Sequence, residues 1–264
     1  MRKFRSLTSR GLLAAALVLP VVVQADDYRW EAGGSYDRIN VDGIEGVVSD
    51  FNLDNWGLYG TWYFNDVNTD QLPLQEAAYL GRVGSVSLTP SRFDSSVGHL
   101  DQWRLSSDFY WPNSWVYLGA GVTRSDTIEP NVDANGNFFV SRGHASAWDA
   151  TVGITPFAGL RVSTSFYEDA DYEPNVDVKY VGRLGNDHFY GFGLNLIDPD
   201  GGDLTYQASA DYFIDRTLRV GGQLGEHHWG LSADKFFMEK LSVGLGYTDF
   251  DGGDAVTLRA GWRF

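Results

Sequence analysis

Cysteine is absent from all 264 residues, which excludes a disulfide framework, a thiolate zinc site and a cysteine nucleophile together. Positive charge is scarce. Twenty Lys and Arg against 35 Asp and Glu leave a formal charge of −15, which repels the phosphates of nucleic acid rather than binding them. Long hydrophobic runs are also lacking, and a mean hydropathy of −0.24 leaves no room for a bundle of membrane helices, each needing about 20 consecutive apolar residues. No helical period of 3.6 persists beyond a turn or two. Aromatics, by contrast, are abundant: 9 Trp, 14 Tyr and 16 Phe are too many for a chain that buries nothing.

The one uninterrupted apolar stretch lies at the start. Met1 to Arg10 carries Arg2, Lys3, Arg5 and Arg10 without an acid, Gly11 to Val23 is apolar, and Val23 and Ala25 place small residues before a cleavage point. This pattern predicts a secretory signal peptide over residues 1–25, cleaved after Ala25, followed by a mature domain at 26–264. The stretch is shorter than a span of about 30 Å requires and contains Pro20, so a signal peptide is favoured over a membrane anchor. Removing its four cations takes the formal charge from −15 to −19.

From Tyr28 onward, about ten residues alternate apolar and polar before a turn, and the unit repeats. Alternation at period two puts successive side chains on opposite faces of a strand. It predicts strands near 28–39, 53–64, 74–88, 99–111, 114–124, 145–155, 158–167, 174–184, 187–197, 203–214, 216–226, 228–238, 241–250 and 254–264. That makes 14, within a range of about 12 to 16. The third segment alternates poorly.

Each strand has two chemistries. In the last one Val256, Leu258, Ala260, Trp262 and Phe264 share one face, and Thr257, Arg259, Gly261 and Arg263 share the other. A soluble sandwich would turn the apolar face inward, whereas a barrel in lipid turns it outward. Loop lengths distinguish the two. Connections at Pro112-Asn113, Thr155 to Ala158, Gly185-Asn186, Asp215-Arg216 and Glu239-Lys240 are tight, while those at Asn40 to Asn52, Thr89 to Gly98 and Ser125 to His144 are long. This asymmetry and an even strand count are those of an outer-membrane barrel. The predicted fold is therefore all-β: a transmembrane, antiparallel, up-and-down β-barrel of about 14 strands.

The chain ends Gly261-Trp262-Arg263-Phe264, which resembles the C-terminal strand signature of bacterial outer-membrane proteins; the resemblance implies that Phe264 is an assembly signal read by the barrel-assembly machinery. Tyr28-Arg29-Trp30-Glu31-Ala32-Gly33-Gly34-Ser35-Tyr36, Gly60-Thr61-Trp62-Tyr63-Phe64 and Leu72-Pro73-Leu74-Gln75-Glu76-Ala77-Ala78-Tyr79-Leu80 resemble the putative general bacterial porin family of Gram-negative proteobacteria. That resemblance implies a barrel with a diffusion role, and no defined solute.

Aromatic placement agrees with a bilayer, because Trp and Tyr prefer the headgroup level. Tyr28, Trp30, Trp62, Phe64, Trp111, Trp115, Phe237, Trp262 and Phe264 are expected at one height. Charges on the lipid face are few. Lys235 and Asp101 lie near strand ends, and Arg82 is expected to be turned inward by a bulge.

The inward register collects Arg29, Glu31, Asp37, Arg104, Asp108, Arg124, Asp149, Arg161, Asp177, Lys179, Arg183, Asp211, Arg219, Asp234, Arg259 and Arg263, nine basic and seven acidic positions. Of these, Arg29, Glu31, Arg104, Asp108, Arg161, Lys179, Arg183, Asp211, Arg219, Arg259 and Arg263 are the candidate pore-lining set. They read either as a mildly anion-attracting wall or as cross-strand ion pairs that keep the barrel's shape. Inward glycines, Gly57, Gly119, Gly121, Gly191, Gly193, Gly221, Gly244 and Gly246, suggest open space.

Acids gather in the predicted outer loops, notably Asp198 to Asp203, Asp249 to Asp254 and Asp133 to Asn137. They suit weak bridging of divalent cations to lipopolysaccharide, but the EF-hand spacing is incomplete, so no metal site or cofactor is expected. Hydrolases also use such barrels. The five histidines, His99, His144, His188, His227 and His228, come with no nucleophile motif, so no catalytic residue is assigned. The sequence thus points to an outer-membrane porin passing small hydrophilic solutes, with a non-conducting structural or adhesive barrel as the alternative and a barrel hydrolase behind both.

Overall fold

A computed structural model describes residues 27–43, 51–95, 98–132, 138–168, 175–185, 188–197 and 204–264. The predicted signal peptide and parts of the acidic loops, including Asp133 and Asp198 to Asp203, lie outside them. The strands are β1 (Tyr28–Val41), β2 (Phe51–Val67), β3 (Ser85–Ser95), β4 (Gly98–Tyr110), β5 (Val116–Val132), β6 (Phe138–Ile154) and β7 (Leu160–Tyr167). They continue as β8 (Asn175–Leu184), β9 (His188–Ile197), β10 (Thr205–Asp215), β11 (Leu218–Gly225), β12 (His228–Phe236), β13 (Leu241–Phe250) and β14 (Gly253–Arg263).

Every strand pairs antiparallel with its sequence neighbours, and β1 pairs with β14, with Gly33 opposite Gly261 and Tyr36 opposite Leu258. The sheet is a closed barrel of 14 strands. Closure removes the two edges that an open sheet would expose.

Apolar side chains point outward. Leu58 is 64% exposed and Leu231 60%, with Leu105, Val122, Val152, Leu224 and Leu258 also on the outer surface. A soluble fold would bury this band, so its exposure identifies a lipid-facing surface. Aromatic rings border it. At the end where β1 begins and β14 finishes, which carries most tight turns and is hereafter the turn end, Trp30 and Trp62 are 6.0 Å apart, Trp62 and Phe64 5.5 Å, Phe64 and Phe109 6.5 Å, and Phe109 and Trp111 6.0 Å. Toward the other end, the loop end, Trp56, Trp103, Trp148 and Trp229 are exposed.

Several expectations are corrected. Residues 74–80 are not a strand: Leu74–Glu76 form a 3-10 turn and Ala77–Leu80 a short helix, α1, and β3 begins only at Ser85. Arg82 therefore needs no strand bulge. It sits in the turn after α1 with φ of 51°, and its Nη2 donates to the Thr155 carbonyl at 2.7 Å. The expected loops Thr89 to Gly98 and Ser125 to His144 are mostly strand, since β3 runs to Ser95 and the β5–β6 ladder continues to Val132 opposite Phe138. Tyr28 faces inward, 4% exposed, rather than joining the outer aromatics. Arg124 lies opposite Trp103 in the β4–β5 ladder, on the outer face, and pairs with Asp126 at 3.6 Å.

Other outer-face charges find polar partners near strand ends. Arg92 makes a bidentate pair with Asp101, at 2.6 and 2.8 Å. Lys235 is 3% exposed and donates to Thr217 Oγ1 at 2.6 Å in the β10–β11 turn, so its stem covers apolar surface while its amine reaches the barrel end.

Candidate functional site: the barrel interior and the segment across its turn end

The longest connection of the turn end, residues 68–84, crosses the barrel opening instead of turning tightly. Local chemistry explains why. Pro73 is the extended N-cap residue before the 3-10 turn, and Leu74, Ala77 and Ala78 recur at the i, i+3, i+4 spacing of a helix rather than at period two. Leu74 and Ala77 are fully buried, as is Val67 at the end of β2. Burial of a large apolar side chain stabilises by about 1.5–3 kcal/mol, and here that surface is supplied by the barrel's own inward face. Tyr28, Val67 and Ala77 form one cluster with Tyr63, Leu72, Ala78 and Val83 around it. Across the lumen, Val181, Phe189 and Phe213 form another, against Tyr79 and Leu80.

Polar anchors span the opening. The Leu74 amide donates to the Arg216 carbonyl at 2.8 Å, and Arg216 Nε donates to the Leu72 carbonyl at 3.1 Å. Arg263 Nη1 donates to the Leu74 carbonyl at 2.9 Å, and Arg183 Nη2 to the Gln71 carbonyl at 2.7 Å. Tyr79 donates to the Lys179 carbonyl at 2.9 Å and reaches the Gly159 carbonyl at 3.1 Å. Burial pushes the Tyr79 hydroxyl well above its ordinary value, so it remains a donor at any physiological pH. Gly159 has φ of +82°, and a Cβ there would meet the Val181 carbonyl oxygen, so a side chain is excluded from this approach. The segment is thus a plug joined to β7, β8, the β10–β11 turn and β14.

The rest of the interior is charged and paired. Arg104 makes two bonds to Asp149, at 2.6 and 2.8 Å. Arg161 bonds Asp177 at 3.3 Å and stacks over the Tyr117 ring at 4.6 Å. Tyr117 donates to Asp108. Glu31 accepts from Arg263 at 2.7 Å and from Tyr59 at 3.0 Å. Asn55 donates to Asp37 at 2.7 Å. On the wall from β10 to β14, Arg219 bonds Asp211, Asp234 and Ser232, and Arg259 Nη2 lies 3.2 and 3.3 Å from the two oxygens of Asp234.

Of the candidate set, Glu31, Arg104, Asp108, Arg161, Lys179, Arg183, Asp211, Arg219, Arg259 and Arg263 thus come to the interior face, and they divide into two groups. Lys179, Arg183 and Arg263, the last braced by Glu31, hold the plug, while Arg104, Asp108, Arg161, Asp211, Arg219 and Arg259 lie along the wall in mutual or aromatic contacts. Arg29 stands apart from both. A register shift between Tyr28 and Trp30 releases it from the alternation; it donates to the Tyr63 and Phe64 carbonyls and lies 6.0 Å from the outer Trp62 ring. Several inward glycines also have a different role from the one expected. A Cβ at Gly121 would meet the Arg104 guanidinium, and one at Gly244 would meet Asp234, so these positions accommodate ion pairs lying flat on the wall rather than empty lumen.

Alternation alone does not mark Glu76, Tyr79, Arg216 or Tyr59. For Glu76 and Tyr79 a signal exists in Pro73 followed by helical spacing, in the segment where period two fails; the turn residue Arg216 and the strand residue Tyr59 carry none.

The outer acids and histidines are dispersed. His144 Nδ1 lies 2.5 Å from Asp126, His227 Nδ1 3.1 Å from Asp251, and His188 Nδ1 3.2 Å from the Tyr212 hydroxyl. Asp254 accepts from Asn40 at 3.0 Å. Among the described residues no group of three or more His, Asp or Glu side chains is arranged to hold a metal ion.

The fold is shared with outer-membrane barrels. The Acinetobacter baumannii outer membrane protein Omp33 superposes with a TM-score of 0.70 at 19% identity, covering 90% of this chain and 99% of that one. A Pseudomonas aeruginosa FadL homologue gives 0.53 at 10% identity, covering 90% and 91%. The P. putida toluene transporter TodX gives 0.51 at 8% identity, covering 90% of each chain. No curated protein matches the chain. A family profile spans residues 1–264, and the chain belongs to the family described as "Putative general bacterial porin".

Proposed function

We propose that this porin-type outer-membrane channel passes small hydrophilic solutes by passive diffusion, with the loop end outside the cell and the turn end in the periplasm. The observation that carries the reading is the reversal of polarity across the wall: an apolar outer band encloses an interior lined by Arg104, Arg219, Arg259 and their carboxylates. Charge on the interior face escapes the cost of desolvation where water fills the lumen. Export through a signal peptide cleaved after Ala25 is part of the same reading. So are recognition of Phe264 by the assembly machinery and contact of the outer acids with lipopolysaccharide and divalent cations.

Because the wall arginines are matched by carboxylates, the interior supports only a mild anion preference. Catalysis is not part of the proposal.

The plug favours a second reading, a non-conducting structural barrel, since residues 68–84 occupy the turn end. Planar-bilayer recording of the purified mature barrel distinguishes the two. Discrete current steps are expected for the channel, and a folded barrel that stays silent across repeated insertions would leave the structural reading.

A further inference from the structure

The wall network borders a hollow. On the loop-end side of Arg219 lies a recess of about 270 Å³, whose polar lining includes Ser209, Asp211, Gln223, Thr248, Thr257 and Arg259. A second cavity, which has Arg259 in common with the first, is lined by Asp234 and by Gln75 of the plug. Gly246 keeps the recess open, since a Cβ there would meet nothing nearer than Thr257 at 3.4 Å. Among the described residues no aromatic ring lines it.

Its two charged ends are unequally satisfied. All three nitrogens of Arg219 are engaged, with Asp234, Asp211 and Ser232. Arg259 uses only Nη2, on Asp234, leaving Nε and Nη1 without a partner among the described residues, and its side chain is 42% exposed. Asp211 gives Oδ1 to Arg219 and keeps Oδ2 free among the described residues.

We propose that this recess is a binding subsite for a small zwitterion of amino-acid size, its carboxylate on Arg259 and its ammonium on Asp211, with the hydroxyls of Ser209 and Thr257 and the amide of Gln223 beside them. The proposal rests on the reading of the barrel as a conduit. Two arginines and two aspartates cancel, so a net anion gains at Arg259 but is repelled by Asp211, and a net cation meets the converse. A solute carrying both charges satisfies both ends at once, and charge-assisted bonds are the strong ones in a partly enclosed site.

The test uses the mature barrel in liposomes with radiolabelled L-serine and, as an uncharged probe of similar size, erythritol. Serine influx is expected to saturate and to exceed erythritol influx. Arg259→Gln and Asp211→Asn are each expected to lower the serine-to-erythritol ratio about tenfold, the loss of one charge-assisted bond. Gly246→Val, which fills the recess without touching a charge, is expected to lower the same ratio and carries the test if a charge variant fails to fold. Equal, non-saturating movement of both probes, with the same ratio in every variant, overturns the subsite and leaves the conduit standing. If neither probe moves and planar bilayers are silent, the conduit reading falls. Saturation-transfer NMR of serine on the folded barrel then judges the subsite by itself: binding lost in Arg259→Gln upholds it, and no binding overturns it.

Discussion

Lys179 Nζ lies 2.7 Å from Glu76 Oε2, so a cation on β8 holds a carboxylate that enters the lumen from β2, on the other side of the ring of strands. The same ammonium sits 4.5 Å from the Tyr79 ring, which makes this corner the polar latch of the plug. Glu76→Gln removes the charge and keeps the shape. It is expected to weaken the latch by about 1–3 kcal/mol, raising open-channel noise and mean conductance in single-channel records. Unchanged noise would show that the latch carries no load.

Removing the plug asks what it blocks. A barrel in which residues 69–82 are replaced by a short Gly-Ser linker keeps all 14 strands, and its conductance step is expected to exceed that of the parent. Leu74→Ala, which hollows a fully buried contact, is expected to cost about 2–5 kcal/mol locally and to move conductance the same way. A step size identical in parent and linker variant would mean that current already bypasses the segment.

Arg219 is the keystone of the wall network. Arg219→Ala strands Asp211 and Asp234 beside each other, with only Arg259 left against Asp234. Leaving buried charge uncompensated costs about 3–5 kcal/mol, to be read from urea unfolding of the barrel in lipid vesicles. A loss under about 1 kcal/mol, typical of exposed pairs, would show that water already solvates these groups.

The lipid face is tested by depth. Leu231, 60% exposed in the middle of β12, and Leu204, 57% exposed just before β10, both point outward. Leu231→Arg is expected to cost about 2–4 kcal/mol and Leu204→Arg about 0–1 kcal/mol, measured by the same vesicle unfolding. Equal costs would remove the assigned bilayer position.

Export has its own readout. N-terminal sequencing of protein recovered from the outer membrane is expected to begin at Asp26, whereas retention of Met1 would overturn the cleavage site.

Much of the fold is legible in the residue order because a barrel strand writes its environment at period two. Val256, Leu258, Ala260 and Trp262 on one register and Arg259 and Arg263 on the other separate an apolar from a polar face within one strand, and the alternation of long and short connections then turns the apolar face toward lipid. The same rule hid the site. It carried residues 74–88 into a strand because the segment is apolar enough to belong to one, although Pro73 and the spacing of Leu74, Ala77 and Ala78 speak for a helix. It also put Arg29 and Arg124 indoors, the first displaced by a bulge and the second by its register opposite Trp103.

The amino-acid sequence by itself determined that this is an all-β chain of about 14 two-faced strands, since alternation and turn chemistry are local properties. Only the tertiary structure decided what the interior contains. Whether Arg219 faces an open ladder of cations or two aspartates depends on strand register around the ring. Whether residues 68–84 form a turn or a plug depends on apolar clusters contributed by β1, β2, β8, β9 and β10, which meet only when the barrel closes.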